Sequence, residues 1–195
     1  THPVLSIPEL MRLLIDEHKF SWDDAFEVTC QVFSYTNHTL MSEALETWPV
    51  DIFSALLPRI FIIVNEINER FCRQLWQRYP GDWERIRAMA VIADGSVHMA
   101  HLAIVGSHSV NGVAQLHTKI LRERVMGRFC DFFPDRFNNK TNGVTHRRWL
   151  VKVNPELNEM VSAIAGEEWV DFPCDLLKLL PHADDPALQE KFAAI

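Results

Sequence analysis

The chain has 195 residues, of which 48% are hydrophobic, and its formal net charge at pH 7 is −7. This length fits one large domain or two small ones with a buried core, and no run approaches the roughly 20 consecutive apolar residues of a membrane span. The acidic balance argues against a nucleic-acid partner, because phosphate backbones are bound mainly by clustered Lys and Arg.

Capping residues mark the first two predicted helices. Ser6 and Glu9 have the spacing of a capping box, in which each side chain bonds a free amide at the start of the helix. Ser21 caps the second helix through its hydroxyl. That helix ends before residues 35–49, which lose the helical period and are predicted to form an ordered loop with a helical turn at residues 43–46.

The longest predicted helix is Pro58–Arg78, because apolar residues recur there at helical spacing and a Pro-Gly pair follows. Asp82 caps the next short helix, which runs through Met89. Asp94 and Gly95 form the turn of a predicted β-hairpin between two short apolar runs.

The second half of the chain is also predicted to be helical. Residues 100–128 follow a helical pattern with a break at residues 107–112, where small residues cluster. The composition then becomes aromatic and amide-rich, and a change of structural unit is expected within residues 138–145. Four short helices follow, at residues 147–153, Pro155–Ala165, residues 175–180 and Pro186–Ala194. The predicted fold is therefore mainly α with a minor β-hairpin, which is too little for a sheet that could stand alone.

Two polar runs could hold one ligand. Residues 35–39 read Tyr-Thr-Asn-His-Thr, and residues 139–143 read Asn-Lys-Thr-Asn-Gly, about a hundred positions later. Short amide and hydroxyl side chains of this kind bind hydroxylated ligands, so a sugar is the first substrate to consider. The alternatives stay open: His38 could be a loop histidine bonded to a neighbouring carbonyl, and Asn142 could belong to an ordinary Asn-Gly turn.

Two charged pairs have simpler interpretations than catalysis. Glu43 and Glu46 could be the paired carboxylates of a glycoside hydrolase, but a solvated helix face is the favoured interpretation. Arg147 and Arg148 could hold an anion, although a salt-bridged surface pair is favoured.

The metal-ligating residue types do not form a recognisable motif. His98, His101, His108 and His117 lie close in sequence, but their spacing does not place three on one helix face, so we expect no metal site. The four cysteines are widely separated, which indicates neither a zinc site nor a disulfide framework and favours a reducing cytoplasm. No Gly-rich phosphate loop and no hydrolase or metalloprotease motif occurs.

Four long segments make the interpretation specific. They are THPVLSIPELMRLL, YTNHTLMSEALETWPV, VNGVAQLHT and FNNKTNGVTHRRWL, and in this order and approximate spacing they resemble the α-glucan phosphorylases of glycogen, starch and maltodextrin. The resemblance implies a segment of a two-domain α/β fold of the GT-B glycosyltransferase type. Residues 1–140 would be the C-terminal part of the N-terminal domain. Residues 141–195 would be the first helices of the cofactor-binding C-terminal domain, which would be incomplete in this chain.

The resemblance also implies an activity and residue roles. The reaction would be reversible phosphorolysis of α-1,4-glucan to glucose 1-phosphate, with phosphate as co-substrate and pyridoxal phosphate as cofactor. His38 matches the histidine that contacts the glucosyl unit at the cleavage site, and Asn142 matches the asparagine that holds its 6-hydroxyl. His2 and Ala44 match positions lining the pocket beside the glucose, and Trp149 matches a tryptophan near the cofactor.

Some family features have no match in this chain. The cofactor lysine, the basic residues for substrate phosphate and the Gly-rich loop belong to a later part of the family sequence. His146 stands where the family usually has proline, and Ile60 replaces a usual histidine.

We therefore expect this chain to be a fragment, cut at both ends and inactive alone. Full-length members of the family are usually homodimers, and we expect the fragment to self-associate. The alternatives are a non-catalytic helical module that binds glucan or assists assembly, and a structural domain with relic site residues.

Overall fold

The computed structural model describes residues 2–195, except the side chain of His2. The chain divides into two compact units, Thr1–Thr141 and Asn142–Ile195. Each unit is described by itself below. Helices predominate in both, as the sequence predicts.

The first unit contains eight α-helices among its described residues. They are α1 (Ser6–Arg12), α2 (Trp22–Val32), α3 (Val50–Leu56), α4 (Pro58–Arg78), α5 (Trp83–Met89), α6 (Met99–Val105), α7 (Gln115–Ile120) and α8 (Gly127–Phe132). Wider π-helical turns continue α1 over Leu13–Glu17 and α7 over Leu121–Val125. Short 3₁₀ turns lie at His2–Leu5, Ser42–Ala44 and Pro134–Arg136.

The predicted bounds of α4 are confirmed, and so are two of the three predicted caps. Ser21 accepts a hydrogen bond from the amide of Asp24 at the start of α2, and Asp82 caps α5 in the same way. The capping box at Ser6 is wrong. The Ser6 hydroxyl donates to the carbonyl of Pro3, and the Glu9 carboxylate binds Arg12 instead of the free amide at the start of the helix. The preceding 3₁₀ turn leads directly into α1, so no extended residue precedes the helix to act as its cap.

The strands of the first unit are short. They are β1 (Ser34–Thr36), β2 (Thr47–Pro49), β3 (Ile92–Ala93), β4 (Ser96–His98), β5 (Ser109–Gly112) and β6 (Phe137–Asn139). They form two three-stranded sheets, one in the order β1-β5-β6 with both pairs parallel, and one in the order β2-β4-β3 with both pairs antiparallel.

The predicted hairpin is confirmed, but a minor hairpin understates the β-structure. β3 and β4 pair across Asp94 and Gly95, whose φ angles of 51° and 73° suit a two-residue turn. Residues 35–49 were predicted as a loop yet contribute to β1 and β2, and the break at residues 107–112 holds β5. These strands pair with partners far away in sequence, and they are too short to show a period of two.

The core of the first unit is built around α4. Its buried apolar residues face one side of the helix and include Ile63, Ile67, Phe71 and Leu75. Phe71 lies against the rings of three later aromatics, Phe129, Phe132 and Phe133. This packing joins α4 to α8 and to the residue that follows it.

The second unit is helical throughout its regular elements. They are α9 (Pro155–Ala165), α10 (Pro186–Ala194), a π-helical segment at Arg147–Lys152 and 3₁₀ segments at Glu167–Val170 and Pro173–His182. The predicted bounds of α9 and α10 are confirmed. The unit's small core centres on Trp169, which is fully buried with Val161 and Ala165. Among the described residues of the chain, none of the helices combines the length and apolarity that crossing a bilayer requires.

Candidate functional site

The parallel sheet brings separate polar segments to one edge. β1, β5 and β6 run in the same direction, so the residues that follow them lie at the same end of the sheet. Asn37 and His38 follow β1, Val113 follows β5, and Lys140 follows β6. Ligands of open α/β sheets commonly bind at this carboxyl edge.

Hydrogen bonds hold both neighbours of His38 in place. Asn37 is buried, its amide N–H donates to the Asn111 carbonyl at 2.9 Å, and its side-chain amide donates to the Tyr35 hydroxyl at 3.0 Å. The Asn37 side-chain oxygen accepts the amide of Thr39 at 3.1 Å. Among the residues that the structure describes, His38 itself forms no hydrogen bond. The loop is therefore rigid around a histidine whose polar groups are available.

This finding bears on the simpler interpretation of His38. A loop histidine satisfied by a neighbouring carbonyl would show a bond from its ring nitrogen to that oxygen. Each of three other histidines does so: the rings of His101, His108 and His146 donate to the carbonyls of Ala90, Cys30 and Val170. His38 differs from them because it is exposed and unbonded within the described part of the chain.

A cavity of about 380 Å³ opens beside His38. Its lining combines an apolar part with hydroxyl groups, as a sugar site requires. The lining residues include Pro3, Ser6, Tyr35, Thr36, His38 and Ser107. Burial raises the pKa of Tyr35, whose hydroxyl accepts the hydrogen bond from the Asn37 side-chain amide. All the lining residues belong to the first unit.

The other side of the sheet edge is tied together by side chains. The Thr118 hydroxyl donates to the Asn139 side-chain oxygen at 2.8 Å, and the Asn139 amide donates to the Thr141 hydroxyl at 3.0 Å. The Lys140 amide N–H donates to the Gly112 carbonyl at 3.1 Å. Two members of the second polar run, Asn139 and Thr141, are therefore bonded to each other within the protein.

Gly112 allows α7 to approach the end of β5. A Cβ at this position would lie 2.4 Å from the Thr118 hydroxyl oxygen and 2.7 Å from His117 Nδ1. In the same turn the Val113 amide donates to His117 Nδ1 at 3.2 Å, which places the proton of the neutral ring on Nε2. That Nε2 is buried and has no partner among the described residues.

The remaining predicted site residues lie apart from the His38 cavity or outside the first unit. Ala44 is exposed at the end of its 3₁₀ turn and does not line the cavity. The side chain of His2 lies outside the described residues, although its neighbour Pro3 lines the cavity. Asn142 is the exposed first residue of the second unit, and Trp149, in the same unit, is 62% exposed.

The predictions for the two charged pairs are partly wrong. Glu43 and Glu46 do not share a helix face, because the helical turn ends at Ala44. The Glu46 carboxylate instead accepts the Trp48 indole N–H at 2.8 Å.

Arg147 and Arg148 are exposed as predicted, but neither forms a salt bridge with a described residue. The Arg147 guanidinium donates to the carbonyl of Val170 at 3.4 Å, and His146 donates to the same oxygen at 2.7 Å. For Arg147, the Val170 carbonyl oxygen thus takes the place of the carboxylate partner that the sequence suggested.

His98, His101 and the partly buried cysteines contribute to packing. The rings of His98 and His101 stack at 4.9 Å, and burial lowers the pKa of His101 to about 4. No three potential metal ligands come together in the described part of the chain. All four cysteines are free, and burial raises the pKa of the Cys30 and Cys72 thiols.

Sequence analysis missed the residues that connect the strands of the site. Asn111, His117 and Thr118 lie in the VNGVAQLHT segment, where the first part was predicted only as a helix break. The valine before Asn111 and the glycine after it resemble the end of a buried strand, and this was the signal that could have identified β5.

Comparisons with known proteins cover the whole chain. The family described as carbohydrate phosphorylase matches residues 1–195. Similar relatives include a glycogen phosphorylase of Bacillus subtilis (strain 168), 58% identical over 98% of this chain, and the muscle-form glycogen phosphorylases of Oryctolagus cuniculus and Homo sapiens, 47% and 46% identical over 100% of it. The chain spans 24% of the length of each of these relatives. The chain therefore belongs to the carbohydrate phosphorylase family.

Proposed function

We propose that the protein carrying this chain catalyses the reversible phosphorolysis of α-1,4-glucan to glucose 1-phosphate, and that this chain supplies the sugar-facing part of the active site. One observation carries the proposal: His38 lines a cavity of about 380 Å³ and its polar groups bond to none of the described residues, while both neighbouring residues are held by hydrogen bonds. Family membership supports the reaction type, since the relatives bear the name glycogen phosphorylase.

In this proposal His38 acts on the glucosyl unit at the bond that is cleaved. Its main-chain oxygen and its ring would contact the sugar and favour the positive charge that develops on the ring during cleavage. A backbone carbonyl can do this without reorganisation only if its loop is already fixed. The hydrogen bonds of Asn37 support that condition.

The other residue assignments belong to the same proposal. Asn142 would hold the sugar's 6-hydroxyl, and His2 and Ala44 would line the pocket beside the glucose. We assign residues 1–140 to the end of the N-terminal domain and residues 141–195 to the start of the C-terminal domain of a GT-B fold. The free cysteines and the acidic surface fit a cytoplasmic enzyme, and we expect it to be a homodimer.

Pyridoxal phosphate would be the cofactor, and it would supply a phosphate group that gives and accepts a proton beside the substrate phosphate. Trp149 fits a supporting role, because its indole is 62% exposed and presents a flat apolar surface on which a pyridine ring can lie. The lysine that anchors the cofactor is expected in a part of the protein beyond the segments matched by resemblance.

A phosphorolysis assay tests the proposal. The complete protein that carries this chain should release glucose 1-phosphate from maltoheptaose and phosphate. His38→Asn should lower kcat by about a hundredfold or more, the usual effect of removing one group that stabilises transition-state charge. His18→Asn is the matched control, because His18 is exposed and its side chain has no partner among the described residues. Absence of product, or equal loss in both variants, would refute the assignment.

One observation favours the alternative of a glucan-binding module. Every residue that lines the His38 cavity belongs to the first unit, so sugar binding needs no residue from elsewhere in the chain. The two functions separate experimentally. A module binds maltoheptaose through His38 and forms no glucose 1-phosphate when phosphate is added.

A further inference from the structure

A second cavity, of about 220 Å³, lies between α2 and α4 in the first unit. Its apolar floor is formed by Phe26 of α2, by Ile67 and Phe71 of α4, and by Val105 at the end of α6. Its lining does not overlap the His38 cavity. It is therefore separate from the proposed sugar site.

One wall of this cavity is flat and rigid. The Arg70 guanidinium lies 5.1 Å from the centroid of the Trp22 ring. Two carboxylates hold it there, because Arg70 Nε donates to Glu66 at 2.6 Å and Nη1 donates to Asp23 at 2.7 Å. An indole and a guanidinium fixed in this way present a flat surface on which an aromatic ring can stack.

The rim of the cavity carries polar groups that are not engaged. Arg73, Gln74 and Gln77 line it from α4 and are exposed, and none of their side chains forms a hydrogen bond or ion pair with a described residue. Arg73 contrasts with Arg70 on the same helix, which is neutralised by two carboxylates. An unpaired guanidinium flanked by two primary amides is suited to bind a carboxylate.

We propose that this cavity binds a small aromatic carboxylate of one or two rings. The ring lies on the apolar floor beside the wall formed by Trp22 and Arg70. The carboxylate accepts hydrogen bonds from Arg73 and from the amides of Gln74 and Gln77. This site does not depend on the proposed phosphorolysis, because it shares no residue with the sugar site.

Calorimetric titration of the complete protein that carries this chain tests the proposal with a matched pair of probes. Indole-3-acetate carries the required charge, and indole-3-acetamide has the same ring and a neutral amide in its place. We expect one site for the acid and an affinity for the amide that is at least tenfold weaker, because a charge-assisted hydrogen bond is lost.

Two arginine variants locate the site. Arg73→Gln should weaken binding of the acid about tenfold and leave the amide unchanged. Arg78→Gln is the control, because it removes the same charge from the same helix at a residue that lies over the Tyr79 ring and does not line the cavity. Gln77→Ala should weaken binding of the acid less than Arg73→Gln does.

The proposal is overturned if neither probe binds at millimolar concentration, if acid and amide bind equally, or if Arg73→Gln and Arg78→Gln behave alike. Both arginines are exposed, so their replacement should leave the fold intact. A competing titration with maltoheptaose should leave the affinity for the acid unchanged, and competition between the two would also refute a separate site.

Discussion

Replacing Gly112 by alanine should destabilise the carboxyl edge of the parallel sheet, where α7 packs against the end of β5. The added methyl carbon would lie 2.4 Å from Thr118 Oγ1, 2.7 Å from His117 Nδ1 and 2.9 Å from the Cα atom of Thr118. The first two contacts could be relieved by side-chain rotation. The third is with backbone, so α7 must move away from β5.

The cost follows from the interactions that this movement breaks. Overpacking costs about 1 to 3 kcal/mol. The bonds from Val113 to His117 and from Thr118 to Asn139 each contribute about 1 kcal/mol. We therefore expect a loss of about 3 to 5 kcal/mol in the free energy of opening β5.

Native-state hydrogen exchange measures this free energy directly. Protection of the Asn37 amide, which is bonded to the carbonyl of Asn111 in β5, should fall roughly a hundredfold to several thousandfold in Gly112→Ala. Gly143→Ala is the control, since no atom lies within 4 Å of its added Cβ and its φ is not in the left-handed region. Protection within about threefold of the wild-type value in Gly112→Ala would refute the close approach of α7.

Three further predictions concern pH, the second unit and association. His101 has a pKa of about 4 when folded and about 6.5 when unfolded, so the unfolded chain binds one more proton as pH falls between these values. The free energy of unfolding should therefore fall by up to about 1.4 kcal/mol for each pH unit over this range. His101→Phe should remove this slope in urea titrations, and an unchanged slope would contradict the burial of the ring. Trp169→Ala should lower the free energy of unfolding of the second unit by about 3 to 5 kcal/mol, because the ring is fully buried and its N–H donates to Ser162. Protection from hydrogen exchange should drop in α9 and remain in α4. Unchanged protection in α9 would contradict the described core. The isolated 195-residue chain should associate, because Trp149 and Phe172 are more than half exposed, and light scattering that finds only monomers at micromolar concentration would refute this prediction.

The sequence predicted the long and capped helices well. α4, α9 and α10 begin at prolines in their first turns, and α4 and α9 also keep a helical period over their whole length, so local signals gave their bounds. The Asp-Gly turn was equally informative, because both of its residues require positive φ. Each of these features is decided by residues within a few positions of each other.

The parallel sheet could not be predicted in the same way. β1 and β5 pair over a separation of 75 residues, and each has only three or four residues. Such strands are stabilised by their partners, such as Asn111 bonding to Thr36, and not by any local pattern. The prediction of residues 35–49 as a loop with a helical turn was wrong at its two ends for this reason, whereas the segment between β1 and β2 is a loop with a 3₁₀ turn at Ser42–Ala44.

The candidate site could be predicted only in part, because some of its residues are brought together by pairing between strands that are far apart in sequence. His38 was recognised from its own segment, and its place beside the cavity agrees with an exposed polar role. Asn111 and His117 were missed because their function depends on contacts made only after the strands pair. The simpler interpretation of His38 could be judged only from its hydrogen bonds, which no sequence pattern reports.

Glucan-dependent protection from hydrogen exchange tests the central claim most directly. In the complete protein that carries this chain, maltoheptaose should slow amide exchange in residues 34–41 beside the His38 cavity, and it should leave α10 unchanged. Slower exchange confined to other segments, or no change in residues 34–41 at a maltoheptaose concentration that saturates the protein, would contradict a sugar site in the cavity beside His38.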